Sequence, residues 1–338
     1  MKVLYVLVSD DHDFYYEQAV ASIISLKHVK PAASISLLVD DKTDKNLVGA
    51  RVSIKQFIDE YNVVELDSQM SPMIRSRYLK TSMREHVEGD FLYVDVDTVW
   101  AEPYDESDFI KDIMAVPDGH IELKEHSCKD FIYDQIEKAS FSPPAKWYIN
   151  SGVLFVRDSQ YTRHFFAKWH EYWKKSCLNT VCIDQPALNQ VNSDLGNTIS
   201  LLPDSYNSQI GRCIKTLASA KIIHYFSSWE SIASFKPSYK FLKKDFLLKV
   251  RSNPYDEDCL NSIYHPKEAF DDITFIVNKE MTQFWESKLC VDLLRLEQSD
   301  NSADERLFKI LRWCTKNIPK WYYRIIPYLY PFYRVFKR

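Results

Sequence analysis

Between residues 2 and 94, short apolar runs alternate with stretches whose apolar residues recur at helical spacing. Residues 2–8 (KVLYVLV) read as a buried strand, and Tyr15 to Lys27 places Ala19, Ile23 and Leu26 on one helix face. Ser36–Val39 reads as a second strand, closed by Asp40-Asp41; 43–60 reads as a helix and Val63–Leu66 as a third strand. Residues 75–87 form a further helical stretch before a strand at 91–94. A β-α-β-α-β order predicts an α/β chain with a mostly parallel sheet and helices on its faces. Ligands in such sheets bind outside the carboxyl ends of the strands. The acidic clusters 10–13 and 95–97 both fall at such ends.

The second cluster interrupts the apolar run Phe91-Leu92-Tyr93-Val94-Asp95-Val96-Asp97-Thr98-Val99-Trp100. In a strand, alternate side chains share a face, so Asp95 and Asp97 would point one way and Val96 the other. Two carboxylates at a strand end can grip one hard divalent cation and leave positions open for a diphosphate. A metal so held would stabilise a departing nucleoside diphosphate. Asp-x-Asp alone also fits two solvated carboxylates.

Composition removes several alternatives. The chain of 338 residues is 46% hydrophobic and 14% aromatic, enough for a large core. It has only 6 glycines and no glycine-rich phosphate loop of either common pattern. The 7 cysteines make no C-x-x-C pair, which argues against zinc sites and a disulfide framework and for a reducing cytosol. The N-terminal apolar run is short for a signal peptide and too short to span a membrane.

Farther along, 112–116 and 152–156 read as strands, 160–175 as an amphipathic helix and 221–226 as a strand carrying His224. Four segments here and at the N-terminus could join the Asp-x-Asp pair. Ser9–Tyr16 offers Tyr15 as a stacking face for a base and Asp10 as an acceptor for ring and ribose donors. Asn150-Ser151-Gly152 opens a strand with an amide able to bind sugar hydroxyls and a glycine that permits close backbone approach. Asp184 and Gln185 could cap the following helix or face a sugar. His224, as neutral imidazole, would complete an Asp, Asp, His set around one metal, and Lys236 could neutralise the departing diphosphate.

These motifs resemble the retaining family 8 glycosyltransferases of GT-A (Rossmann-like) fold, which include glycogenin and bacterial lipopolysaccharide galactosyl- and glucosyltransferases. The family pattern runs D-x-D, then N-[AS]-G, then D-Q-x-x-x-N, then a His followed by K-P. Here Asp95-Val96-Asp97, Asn150-Ser151-Gly152, Asp184-Gln185 with Asn189, and His224 with Lys236-Pro237 occur in that order, over about residues 1–240. The resemblance implies a UDP-sugar donor, Mn²⁺ (or Mg²⁺) on Asp95, Asp97 and His224, and Lys236 on the diphosphate. It implies Asp10 and Tyr15 (or Asp13 and Tyr16) at the nucleoside, and Asn150, Asp184 and Gln185 at the donor sugar and reacting centre. Lys80 matches a basic position of the family, with Arg77 as the alternative. Ser227-Ser228-Trp229 stands where the family usually has a glycine, and the gap before Lys236 is long. Asp184 is the one carboxylate considered for a covalent or stabilising role.

Beyond residue 240 the pattern turns chiefly helical, giving a helical extension over 241–305, with Ser302-Ala303-Asp304-Glu305 in capping-box form. Residues 306–338 hold nine Lys/Arg and no Asp/Glu, which leaves −13 of formal charge on residues 1–305. This basic, aromatic tail predicts peripheral attachment to the anionic inner face of the plasma membrane, where a lipid-linked saccharide acceptor would lie, rather than nucleic-acid binding. Two other readings compete. Asp95-Val96-Asp97-Thr98-Val99 fits the haloacid dehalogenase phosphatase signature, although some ninety residues precede it, and a catalytically inactive sugar-nucleotide-binding protein would keep the same polar positions.

Overall fold

The computed structural model describes residues 1–227, 239–270, 287–299 and 301–317. Four parallel strands, β1 (Lys2–Leu7), β2 (Ser34–Asp40), β3 (Glu60–Val64) and β4 (Phe91–Val94), are joined by α1 (Tyr15–Val29), α2 (Asp41–Asn46) and α3 (Pro72–His86). The expected helix over 43–60 is instead α2 followed by a 3-10 segment, Gly49–Phe57, since Gly49 at φ +57° breaks the α-helical path.

The sheet continues through β6 (Ile113–Pro117), β7 (Ile149–Val156) and β8 (Ser200–Leu201), in the order β3-β2-β1-β4-β7-β6-β8. Only β7 runs antiparallel to its neighbours, β4 and β6. The mostly parallel α/β sheet expected from the sequence is therefore present. A second, three-stranded sheet has the order β5-β10-β9, from β5 (Thr98–Trp100), β9 (Ser208–Gln209) and β10 (Ile222–His224).

Alternation along β1 divides the core. Val3, Tyr5 and Leu7 face a cluster with α1 and the second sheet, while Leu4, Val6 and Val8 face one with α3, α5 (Gln160–Leu178) and α6 (Gln185–Asp194). Each fully buried Leu, Ile or Val contributes about 1.5–3 kcal/mol by leaving water. Polar atoms deep in the first cluster pair with one another: the Trp100 indole N–H donates to the Tyr5 hydroxyl at 2.9 Å, which shares a hydrogen bond with Ser22 at 3.0 Å.

Helices α7 (Lys244–Ser252) and α8 (Glu257–Tyr264) belong to the first core. Phe246, Leu247, Val250, Cys259 and Ile263 are buried there. The chain divides into two compact units, Met1–Thr282 and Gln283–Arg338. The apolar faces of α7 and α8 are spent on the core of the first unit.

In the second unit, α9 (Lys288–Gln298) and α10 (Ser302–Asn317) pack against each other. The residue capping α10 is Asn301, whose Oδ1 accepts from the Ala303 N–H at 2.9 Å; Ser302 is already inside the helix. No described helix is long and apolar enough to cross a membrane.

Candidate active site

Strand β4 stops at Val94, and Asp95-Val96-Asp97 forms the turn that carries the chain from the large sheet into β5 of the small one. The strand alternation expected for the two carboxylates is therefore not what aligns them. Hydrogen bonds shape the turn: the Asp95 N–H donates to the Gly152 carbonyl at 2.8 Å, and the Thr98 hydroxyl donates to the Asp95 carbonyl at 2.7 Å. Because β10 pairs antiparallel with β5, His224 lies opposite Thr98 and beside Asp97. One donor atom from each of Asp95, Asp97 and His224 lies within 4.8 Å of the others. The His224 Nε2 is 3.3 Å from Asp97 Oδ1 and 4.0 Å from Asp95 Oδ2.

Each carboxylate is held from behind. Lys80, 2% exposed, donates to both Asp95 oxygens at 3.0 and 3.1 Å, and the Tyr93 hydroxyl donates to Oδ1. The Ser227 N–H and hydroxyl donate to Asp97 Oδ2 at 2.9 and 3.2 Å. Burial pushes the Asp97 pKa up, but the His224 charge and hydrogen bond, with those from Ser227, outweigh it and bring the pKa down to about 2.

The donor set fits a hard divalent cation: two carboxylates and one imidazole. Gly152 shows the same fit, since a Cβ there would lie 2.3 Å from His224 Cε1 and 2.9 Å from Asp95 Oδ2. Its missing side chain makes room for the triad itself, where the sequence reading gave the glycine to ligand approach.

The triad lines a cavity of about 610 Å³, whose wall also includes Tyr15, Arg77, Lys80, Asn150, Asp184 and Gln185. Asp184 opens α6 without capping it. Its carboxylate instead lies 3.0 Å from Arg77 Nε and 3.4 Å from Lys80 Nζ. Burial raises its pKa, but Lys80 and then Arg77 overcome this and bring it to about 2. Gln185 accepts from the Ser151 N–H at 3.3 Å and donates to Asp118 at 3.3 Å. Asn189 exchanges hydrogen bonds with the Ile149 backbone at 2.7 and 3.0 Å, fastening α6 to β7.

The nucleoside candidates separate. Tyr15 is 39% exposed and lines the cavity, whereas Tyr16 is buried and bonded to Ser53. Asp10 is not on the cavity wall and its Oδ1 accepts from the His12 N–H at 2.8 Å; Asp13 folds both oxygens back onto its own loop. Lys236 and Pro237 lie outside the described residues.

Sequence reasoning missed Asp118, Asn207, Tyr93, Ser227 and Arg212, and the α4 (Lys129–Lys138) residues Phe131, Ile132 and Gln135 on the cavity wall. For Asp118 there was a signal, because it follows β6 at the same sheet edge as Asp95.

Residues 85–234 match the family described as nucleotide-diphospho-sugar transferase. The chain is a glycosyltransferase of the nucleotide-diphospho-sugar type. Its matched segment runs from the end of α3 past the triad and contains Asp95, Asp97, Asn150, Asp184 and His224. This sets the phosphatase reading of Asp95 and Asp97 aside.

Among solved structures, the glycosyltransferase is similar to mouse xyloside xylosyltransferase 1 (13% identity, 66% of this chain and 96% of that one, TM-score 0.44). It is also similar to the galactosyltransferase LgtC in complex with donor and acceptor sugar analogues (14%, 75% and 95%, 0.46). A third likeness is to the glycosyltransferase GlyE of Streptococcus pneumoniae TIGR4 (19%, 70% and 56%, 0.43). No curated protein matches the chain.

Proposed function

We propose that the glycosyltransferase moves a hexose from a UDP-sugar to a saccharide or lipid-linked saccharide, with retention and with a bound Mn²⁺ or Mg²⁺. The observation that carries this reading is the Asp95, Asp97 and His224 donor set on the wall of a cavity large enough for a sugar nucleotide. A cation held there would supply charge neutralisation for the diphosphate as it leaves. Tyr15 offers its exposed ring to the base. Lys80 and Arg77 hold Asp184 anionic at the cavity wall, where a fixed negative charge favours positive character at the anomeric carbon. Arg77 and Lys80 flank the Asp184 carboxylate at 3.0 and 3.4 Å, which favours an electrostatic role over covalent attack and suits front-face attack by the acceptor hydroxyl. UDP, retention and the hexose come from the family resemblance.

We also place the glycosyltransferase on the inner face of the plasma membrane, in the synthesis of cell-surface polysaccharide or lipopolysaccharide. The charge of residues 306–338 supports this, as do the exposed Leu307, Ile310, Leu311 and Trp313 of α10.

The deciding experiment measures UDP release from a panel of UDP-sugars with and without Mn²⁺, in wild type and in Asp97→Asn. Mn²⁺-dependent release from one donor, lost in the variant, establishes the reaction. Absence of both release and Mn²⁺-dependent UDP binding would overturn it.

A further inference from the structure

Four buried side chains form a directed hydrogen-bond chain leading away from His224. The His224 Nδ1 lies 3.0 Å from Asn207 Oδ1, Asn207 Nδ2 lies 2.9 Å from Asn150 Oδ1, and Asn150 Nδ2 lies 3.1 Å from Asp118 Oδ1. None of the four is more than 6% exposed. The direction of each bond follows from chemistry at the far end. The Asp118 carboxylate, as an anion, only accepts, so Asn150 turns its amino group to it. The Gly152 backbone N–H, which only donates, reaches Asn150 Oδ1 at 2.9 Å and pins the same orientation independently. Asn207 must then give its amino group to Asn150 and its carbonyl oxygen to His224. A carbonyl oxygen only accepts, so Nδ1 of His224 carries a proton whether the ring is charged or neutral, and in the neutral, metal-binding form the lone pair is on Nε2, the nitrogen facing Asp95 and Asp97.

From this juxtaposition we propose that Asn207, oriented through Asn150 by Asp118, is a positioning residue that fixes the His224 tautomer so that Nε2 faces a divalent cation. The inference rests on the metal-dependent reading of the Asp95, Asp97 and His224 set. It also gives Asn150 a role different from the one read in the sequence: its oxygen is taken by Asn207 and Gly152, and its amide nitrogen by Asp118. Gln185 steadies the far end, donating to Asp118 Oδ2 at 3.3 Å. Partners of this kind typically change metal affinity about 10- to 100-fold when removed.

The test is direct Mn²⁺ titration, read as free Mn²⁺ by electron paramagnetic resonance, without any sugar nucleotide. Asn207→Leu keeps the volume but removes the acceptor, and should weaken Mn²⁺ binding about 10- to 100-fold. Asn207→Asp keeps an acceptor for the Nδ1 proton but loses the donor to Asn150 Oδ1, and should recover part of the affinity lost in Asn207→Leu, which a purely packing role for Asn207 would not predict. Wild-type affinity in a folded Asn207→Leu would overturn the relay and leave the metal reading intact. Failure of wild type to bind Mn²⁺ would overturn the metal reading and the relay with it. Should Asn207→Leu not fold, wild-type protein labelled with ¹⁵N-histidine and loaded with ¹¹³Cd²⁺ decides the matter. Cadmium coupling to Nε2 of His224, assigned with His224→Gln, is expected, and coupling to Nδ1 overturns the proposal.

Discussion

Gly152 stands against His224 so closely that a β-carbon on it would lie 2.3 Å from the imidazole Cε1. A strand residue of the large sheet and a strand residue of the small sheet thus share the space in which Asp95 and Asp97 converge. Gly152→Ala must move His224 or Asp95, and overpacking of this kind costs about 1–3 kcal/mol. The variant should fold with a lowered urea midpoint and lose most Mn²⁺ affinity. A wild-type Mn²⁺ titration curve would show that the close approach is not needed.

Lys80 is buried between two carboxylates, Asp95 and Asp184. Lys80→Met leaves both acids facing each other without that cation, and loss of one partner of a buried pair costs about 3–5 kcal/mol. Urea unfolding in EDTA should show a loss of this order. Added Mn²⁺ should recover part of it, because a cation at Asp95 replaces some of the missing charge. A stability difference below about 1 kcal/mol would contradict the bridging role.

His170 packs between α3 and α5, with Nδ1 2.8 Å from the Thr81 hydroxyl. Burial, then Lys174 and His86, lower its pKa from 6.5 to about 4. The unfolded chain therefore binds a proton that the folded protein refuses between these values, and stability falls as pH drops from about 6.5 towards 4. His170→Asn, which keeps a polar atom near the Nδ1 position, should show a shallower fall in urea midpoint across this window. Parallel profiles would mean that His170 does not titrate as described.

Residues 306–338 concentrate basic charge on the second unit. Deleting them should leave Mn²⁺-dependent UDP release unchanged and abolish co-sedimentation with anionic vesicles. Retained sedimentation would locate membrane attachment elsewhere.

Much of the fold and site was legible in the sequence, though not always for the reason that local patterns offer. The β-α-β-α-β order followed from apolar periodicity, and β4 ends at Val94, as the pattern implies. Asp95 and Asp97 do converge, but through a turn between two sheets rather than along one strand face. Local alternation constrains only residues two apart within a strand, and here the strand has already ended. Asp184 and Gln185 could by local pattern either cap a helix or face a sugar, because acids and amides are common at helix starts. Their side chains instead reach Arg77, Lys80 and Asp118, partners that no local pattern reveals.

The sequence by itself determined the order of strands and helices, the carboxylates at strand ends and the short polar motifs, because these depend on neighbours a few residues apart. Only the tertiary structure decided by what route His224, expected beside the two carboxylates, reaches Asp97, that Gly152 clears space for both, and that Asn207 and Asp118 orient the imidazole. Those relationships link residues far apart in the chain. They are set by the β5–β10 register and by the requirement that each buried donor meet an acceptor, and neither is written in the spacing of the residues.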